Sequence, residues 1–219
     1  MTDILNSLVA KLERAPVVPL IQSDDPAGAV ELMHALARGG LGVVEVVLRT
    51  QRAYDVVKTL AEQSGDVIVG AGTVLSPQHA RDAVDAGARF LVSPGLHEDV
   101  VETAYELGVP ILPGVATASE AQRAWNLGLR NVKFFPASQA GGPSMIRALA
   151  SVFSDLRFMP TGGISVGNLP DYLAIKAVLA CGGSWLTPAD AVRAGAFDVI
   201  ERLAGEALQA ARTVRPDVT

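Results

Sequence analysis

The stretch Val43-Val-Glu-Val-Val-Leu48 is a short run of mostly β-branched residues with a single charge in its middle. Continuous rather than alternating hydrophobicity is typical of a strand buried on both faces, as in a parallel sheet. Seven comparable runs recur at intervals of roughly 20–26 residues: Val17–Ile21, Val67–Ala71, Phe90–Ser93, Pro110–Leu112, Val132–Phe135, Arg157–Pro160 and Ala177–Ala180. Together with the quoted stretch, they predict eight strands in one parallel sheet.

Segments with apolar residues at helical spacing lie between these runs. Asp25-Pro26 and Ser76-Pro77 place proline at the first helical position, and Gly87 and Gly128 stand where helices commonly end. Because strand and helix alternate without a linker, we predict one domain, a (β/α)8 TIM barrel within residues 1–219. The barrel is expected at about 17–195, with an extra N-terminal helix at 1–14 and a C-terminal helix at 196–211. A doubly wound open sheet is the alternative.

Composition excludes several functional classes. The chain has 219 residues, is 49% hydrophobic and carries a formal net charge of −5 with both signs interspersed, so we expect no nucleic acid partner. The apolar runs are too short to cross a bilayer, and the N-terminus lacks the pattern of an export signal. The only cysteine is Cys181, and the three histidines are scattered, so no disulfide or metal site is expected. These features predict a cytoplasmic protein.

Lys133 is the most unusual residue for its position. It lies between Val132 and two phenylalanines on a strand that is predicted to be buried. Burying an ammonium ion without a partner is costly, so a buried lysine tends to be neutral part of the time. A neutral lysine can attack a ketone and form a Schiff base. The alternative is a salt-bridged or snorkelling lysine at the end of a strand.

Glu45 is the second anomaly, since it interrupts a run of valines. By alternation it shares a face with Val47 and Arg49. A carboxyl group that points into an apolar barrel should have a raised pKa, which suits a group that both takes and gives a proton. The alternative is a buried Glu45–Arg49 ion pair that serves only packing. Arg49 could equally hold a substrate carboxylate through its planar guanidinium group.

Glycine pairs follow the last two predicted strands, at Gly162-Gly163 and at Gly182-Gly183-Ser184. In TIM barrels the loops after these two strands often bind a phosphate group through backbone N–H groups. Glycine also makes ordinary tight turns, so the position of the pairs, rather than their composition, indicates a phosphate site.

With these residues in place, the sequence resembles the 2-keto-3-deoxy-6-phosphogluconate (KDPG) aldolases, which are grouped with the 4-hydroxy-2-oxoglutarate (KHG) aldolases. The resemblance covers residues of about 17–200. Its motifs are Val18-Pro-Leu-Ile21, Glu45-Val-Val-Leu-Arg-Thr50, Val69-Gly-Ala-Gly-Thr-Val-Leu75, Val92-Ser-Pro-Gly95, Pro113-Gly114, Val132-Lys-Phe-Phe-Pro-Ala137, Pro160-Thr-Gly-Gly-Ile-Ser165 and Gly182-Gly-Ser-Trp-Leu186.

The resemblance implies a class I aldolase that needs no cofactor or metal and forms a homotrimer. Lys133 would form the Schiff base with a phosphorylated keto acid, and Glu45 would be the general acid and base. Thr161 stands where relatives acting on the 6-phosphogalactonate epimer tend to carry valine, which favours the gluconate. The substrate-binding residues that the resemblance implies are Arg49, Thr73, Pro94, Phe135, Thr161, Gly162, Gly163, Gly182, Gly183 and Ser184.

Several alternatives stay open at this point. The same chemistry could act on KHG, on the galactonate epimer or, as a decarboxylation, on oxaloacetate. A phosphate-binding barrel of thiamin or tryptophan biosynthesis would leave the buried Lys133 unexplained. A non-catalytic sugar-phosphate-binding barrel would bind ligand without turnover, and the presence of both Lys133 and Glu45 argues against it.

Overall fold

The computed structural model describes residues 1–218 and shows an α/β fold with a curled parallel sheet. Its strands are short, and every pairing between them is parallel. They are β1 (Val17–Ile21), β2 (Val43–Val47), β3 (Ile68–Gly72), β4 (Leu91–Val92), β5 (Ile111–Leu112), β6 (Gly114–Val115), β7 (Asn131–Phe134), β8 (Arg157–Pro160) and β9 (Cys181–Gly183).

Helices lie between the strands and at both ends of the chain. They are α1 (Thr2–Arg14), α2 (Pro26–Arg38), α3 (Ala53–Glu62), α4 (Pro77–Asp85), α5 (Glu98–Glu106), α6 (Ala118–Asn126), α7 (Gly142–Val152), α8 (Leu169–Leu173), α9 (Ala189–Arg193) and α10 (Phe197–Arg212). Side-chain caps fix several starts: Asp25, Ser76 and Thr117 each accept a hydrogen bond from the first turn of a helix. Within residues 1–218, no helix combines the length and the apolar character needed to cross a membrane.

The strands pair in two groups. One has the order β5-β4-β3-β2-β1-β9 and the other the order β6-β7-β8. Two isolated bridges, Phe158 with Val178 and Thr161 with Gly182, connect β8 to the segment that contains β9. Chain order and spatial order therefore agree from β1 to β5 and from β6 to β8, as expected when each helix returns the chain to the next parallel strand.

The strand predictions needed two corrections. The fifth strand ends at Leu112 as predicted, but an additional strand, β6, follows Pro113, which has no backbone donor. The eighth was predicted at Ala177–Ala180, but the strand is β9, at Cys181–Gly183. The apolar run gave the wrong position because β9 is built from small residues, which add no hydrophobic signal to the sequence.

Two apolar cores lie on opposite faces of the sheet. The larger packs the helices against its outer face. The smaller combines inward-facing strand residues such as Val18, Phe90 and Met159 with Leu8 and Leu12 of α1. Each of these two leucines is 1% exposed, so α1 closes one end of the sheet with fully buried side chains. Burying a leucine in this way contributes about 1.5–3 kcal/mol.

Candidate active site

Lys133 and Glu45 face each other inside the curled sheet. Lys133 lies on β7 and Glu45 on β2, and their side chains are 7% and 1% exposed. The Nζ atom of Lys133 is 3.7 Å from Oε1 of Glu45. The two anomalies of the sequence therefore meet in one buried pair, and Glu45 does not form the alternative pair with Arg49.

Burial sets the protonation behaviour of Glu45. Removal from water raises the pKa of Glu45 above its usual 4.5, and the charge and hydrogen bonding of Lys133 oppose that rise without cancelling it. The second oxygen, Oε2, is buried and has no hydrogen-bond partner among residues 1–218. A carboxyl group with one free oxygen beside an amine can exchange a proton with a bound molecule.

Glycine at position 72 makes room for Glu45. A Cβ atom added to Gly72 would lie 1.9 Å from Oε1 of Glu45, closer than any real contact. β2 and β3 are register partners, with Glu45 opposite Gly70 and Val47 opposite Gly72. The absence of a side chain at Gly72 therefore leaves the space that the carboxyl group of Glu45 occupies.

The aromatic ring of Phe135 lies over the amine. The Nζ atom of Lys133 is 5.2 Å from the centre of this ring, within the range of a cation–π contact. The same ring approaches Gly162, whose φ of 100° belongs to the left-handed region that favours glycine. Phe135 therefore separates Lys133 from the glycine segment that follows β8.

Arg49 and Thr73 lie at the carboxyl ends of β2 and β3. Arg49 is exposed, and its Nη1 atom donates a hydrogen bond to Oε1 of Gln22 over 3.1 Å. Thr73 has a φ of 65°, which is uncommon for a β-branched residue and costs about 1–3 kcal/mol. Strained residues of this kind persist where the surrounding structure fixes them, often at functional sites.

The two glycine pairs have different structures. Gly162 and Gly163 both have positive φ, 100° and 76°, and form a tight turn after β8. Gly182 and Gly183 were predicted to belong to a loop, but they are buried residues of β9. A Cβ atom at Gly182 would lie 2.4 Å from Oγ1 of Thr161, so close strand contact explains this glycine.

Ser184 and Pro94 complete the predicted set. Ser184 is exposed and is the first residue after β9, and Pro94 is partly buried just after β4. Lys133 and Glu45 thus lie within strands, whereas Arg49, Thr73, Pro94 and Ser184 lie just beyond the carboxyl ends of strands, where such folds hold their active sites. Within residues 1–218, no cluster of three or more His, Cys, Asp or Glu could hold a metal ion.

The sequence reasoning missed two residues of this face, Gly72 and Gln22. Gly72 was quoted as part of a motif, but its contact with Glu45 depends on the stagger between β2 and β3. Gln22 follows β1 directly and contacts Arg49. Alternation along β1 could have found it, because Val18, Leu20 and Gln22 share one face.

A buried amine beside a buried carboxyl group, inside a curled parallel α/β sheet, fits the class of Schiff-base aldolases. The chain belongs to the KDPG and KHG aldolase family, whose model matches residues 8–203. It is 47% identical over 201 residues to the KHG/KDPG aldolase of Escherichia coli K12, and the match covers 92% of this chain and 94% of that one.

Solved structures agree with this assignment. The KDPG aldolase of Legionella pneumophila, with pyruvate captured as a covalent carbinolamine intermediate, superposes with a TM-score of 0.86 at 38% identity and covers 90% of this chain and 96% of its own. The KDPG aldolase of Zymomonas mobilis ZM4 with 3-phosphoglycerate gives a TM-score of 0.85 at 40% identity, covering 94% and 95%.

Proposed function

We propose that the protein is a class I aldolase that cleaves KDPG to pyruvate and glyceraldehyde 3-phosphate. The observation that carries this conclusion is the buried pair of Lys133 and Glu45, with 3.7 Å between amine and carboxyl oxygen. The pyruvate carbinolamine in the Legionella relative is the first covalent intermediate expected of such an amine.

The proposed reaction begins when the amine of Lys133 adds to the C2 ketone and loses water, which gives an iminium ion. Glu45 removes the proton of the C4 hydroxyl group, and the C3–C4 bond breaks. Its electrons move into the iminium ion, so that the aldehyde leaves and an enamine stays on Lys133. Glu45 then returns the proton to C3, and water releases pyruvate and restores the free amine.

The substrate contacts are proposed from the family resemblance. Arg49 and Thr73 hold the carboxylate of the pyruvyl portion, and Pro94 and Phe135 form the wall beside it. The phosphate binds at the segments after β8 and around β9, where backbone N–H groups and one hydroxyl group are available. The residues of that phosphate site are Gly162, Gly163, Gly183 and Ser184, and Thr161 and Gly182 are the further substrate-binding residues beside it.

We infer that the two groups of strands form one closed (β/α)8 barrel and a single domain over 1–219, flanked by α1 and α10. The bridges from β8 towards β9 support closure on one side. On the other side, β5 and β6 are two halves of one strand, separated only by Pro113. The cytoplasmic location stays a prediction.

A homotrimer is proposed from the family resemblance. Light scattering during size-exclusion chromatography should give three times the chain mass of 22.8 kDa. A mass equal to a single chain would reject the trimer and leave the proposed chemistry intact.

KHG is a second candidate substrate, because the relative from Escherichia coli is named for both KHG and KDPG. KHG shares the keto acid and the C4 hydroxyl group that the proposed chemistry uses, but it has no phosphate. Steady-state cleavage of both compounds by the same preparation measures the preference.

The central test traps the Schiff base. The protein is incubated with pyruvate, reduced with borohydride, digested and analysed by peptide mass spectrometry. We expect a lactyl-type adduct on Lys133 and on none of the other three lysines, Lys11, Lys58 and Lys176. A folded protein without this adduct in excess pyruvate would rule out the aldolase mechanism and favour a non-covalent phosphate-binding barrel.

A further inference from the structure

Gln22 lies at the mouth of the site, on the inward-facing side of β1. In the register of β1 with β2, Leu20 pairs with Glu45, so the two side chains point the same way. Gln22 stands two residues further along and therefore shares this face. It is exposed and reaches over the carboxyl end of the strand, above the level of Glu45.

The contact with Arg49 fixes which end of the amide faces outward. A guanidinium group only donates hydrogen bonds, so the atom of Gln22 at 3.1 Å from Nη1 must be the oxygen. The amide nitrogen Nε2 then points away from Arg49 and has no hydrogen-bond partner within the part of the chain described, 1–218. Gln22 thus presents a donor to the mouth.

Gln22 also separates two cavities. One, of about 220 Å³, lies beside Arg49, and the other, of about 380 Å³, lies beside Ser184. Of the residues that line these two cavities, only Gln22 lines both. In the proposed function Arg49 binds the carboxylate of the substrate and Ser184 its phosphate, and Gln22 shares a cavity with each of these residues.

We propose that Gln22 is a specificity-determining residue, whose Nε2 donates a hydrogen bond to the C5 hydroxyl group of the phosphorylated substrate. This inference rests on the proposed function, because it needs the substrate to extend from Arg49 to Ser184. The carbon chain between carboxylate and phosphate carries hydroxyl groups, and C5 precedes the phosphorylated carbon. A donor between the two anion sites matches a hydroxyl oxygen there.

The competing explanation is that Gln22 serves only to orient Arg49. Two substitutions separate these roles. Gln22→Glu keeps an oxygen that accepts from Arg49 but loses the donor, whereas Gln22→Met removes both. Gln63, exposed at the carboxyl end of α3, provides the matched control Gln63→Met, which repeats the chemical change away from the mouth. Because Gln22 is exposed, both variants should fold normally.

The experiment compares two readouts: kcat and KM for KDPG, and exchange of the methyl protons of pyruvate with deuterium. Pyruvate ends at C3 and therefore has no C5 oxygen, but its exchange still depends on Lys133, Glu45 and Arg49. We expect both Gln22 variants to lower kcat/KM for KDPG about tenfold, mainly through KM. Pyruvate exchange by Gln22→Met should stay within about twofold of wild type, as should every readout of Gln63→Met.

The outcomes are distinct. An equal loss of KDPG cleavage and pyruvate exchange in Gln22→Met, or normal KDPG kinetics in Gln22→Glu, would show that Gln22 acts only through Arg49 and overturn the inference. Unchanged KDPG kinetics in both variants would overturn it as well. A wild-type protein that neither cleaves a keto acid nor exchanges pyruvate protons would instead reject the proposed function itself.

Discussion

The floor of the site, formed by Lys133, Glu45 and Gly72, differs sharply from its mouth, formed by Gln22, Arg49 and Ser184. The floor residues come from strands, and the side chains of Lys133 and Glu45 are 7% and 1% exposed. The mouth residues lie just beyond strand ends and are all exposed. Packing holds the groups of the floor in place, whereas those of the mouth keep rotamer freedom.

This difference indicates that the floor carries out the chemistry and that the mouth selects the substrate. Groups that must meet the reacting carbon atoms within a few tenths of an ångström gain from a rigid, water-free setting. Groups that bind the charged ends of a substrate, such as its carboxylate and its phosphate, tolerate exposure, because their contacts contribute binding more than rate. Substitutions at the floor should therefore lower kcat, and those at the mouth should raise KM.

The largest effect is expected from Lys133→Ala, which removes the proposed nucleophile. Cleavage should be abolished and no pyruvate adduct should form after borohydride reduction. Lys133→Arg should not restore either, because a guanidinium group stays protonated and cannot add to a ketone. Lys58→Ala, at an exposed lysine of α3, is the matched control and should behave as wild type. Turnover by a folded Lys133→Ala protein would contradict the assignment.

Glu45→Gln should give the second-largest effect, with cleavage and pyruvate proton exchange both slowed by about 10²–10⁴, the usual contribution of general acid–base catalysis.

The pH dependence of the reaction follows from the raised pKa of Glu45. The reaction needs the carboxylate, so kcat/KM should rise with pH through that pKa, and the acid limb should lie above pH 4.5. Activity is lost as the pH falls and Glu45 gains its proton.

Rate measurements across the acid range test this assignment. In Glu45→Gln the acid limb should vanish, since the amide does not titrate. Wild-type exchange rates in the variant, or an unchanged limb, would assign the proton transfers to another group. Circular dichroism at each pH controls for unfolding of either protein.

Gly72→Ala tests whether the floor is fixed by packing. The added Cβ atom would stand 1.9 Å from Oε1 of Glu45, so the carboxyl group must move. A misplacement of about 1 Å can cost about 10² in rate, and we expect kcat to fall by that amount with KM little changed. Gly205→Ala is the control, because nothing lies within 4 Å of the added atom there. Equal kcat values in the two variants would show that the floor is not rigid.

The sequence predicted the charged residues of the floor for a physical reason, and it missed one residue of the floor and one of the mouth. Lys133 and Glu45 are charges inside apolar runs, and such an exception to burial is visible without a structure. The contact between Gly72 and Glu45 was not predictable, because it depends on the stagger of two strands. The contact between Gln22 and Arg49 depends on side-chain rotamers, which no pattern of hydrophobicity encodes. The strand at Cys181–Gly183 was misplaced because its small residues carry no apolar signal.

Ser184→Ala should give the smallest effect and thereby sharpen the contrast with the floor. Its hydroxyl group is one of several donors at the proposed phosphate site, and backbone N–H groups stay in place. A hydrogen bond to a charged group is worth about 1.5–3 kcal/mol, so loss at the lower end of this range raises KM for KDPG roughly tenfold. The value of kcat should stay the same, because the contact is equally present in ground state and transition state. KHG has no phosphate, and its kinetics serve as the internal reference. A fall in kcat for both substrates would mean that Ser184 also positions the reacting atoms. It would contradict the division of roles between a catalytic floor and a substrate-binding mouth.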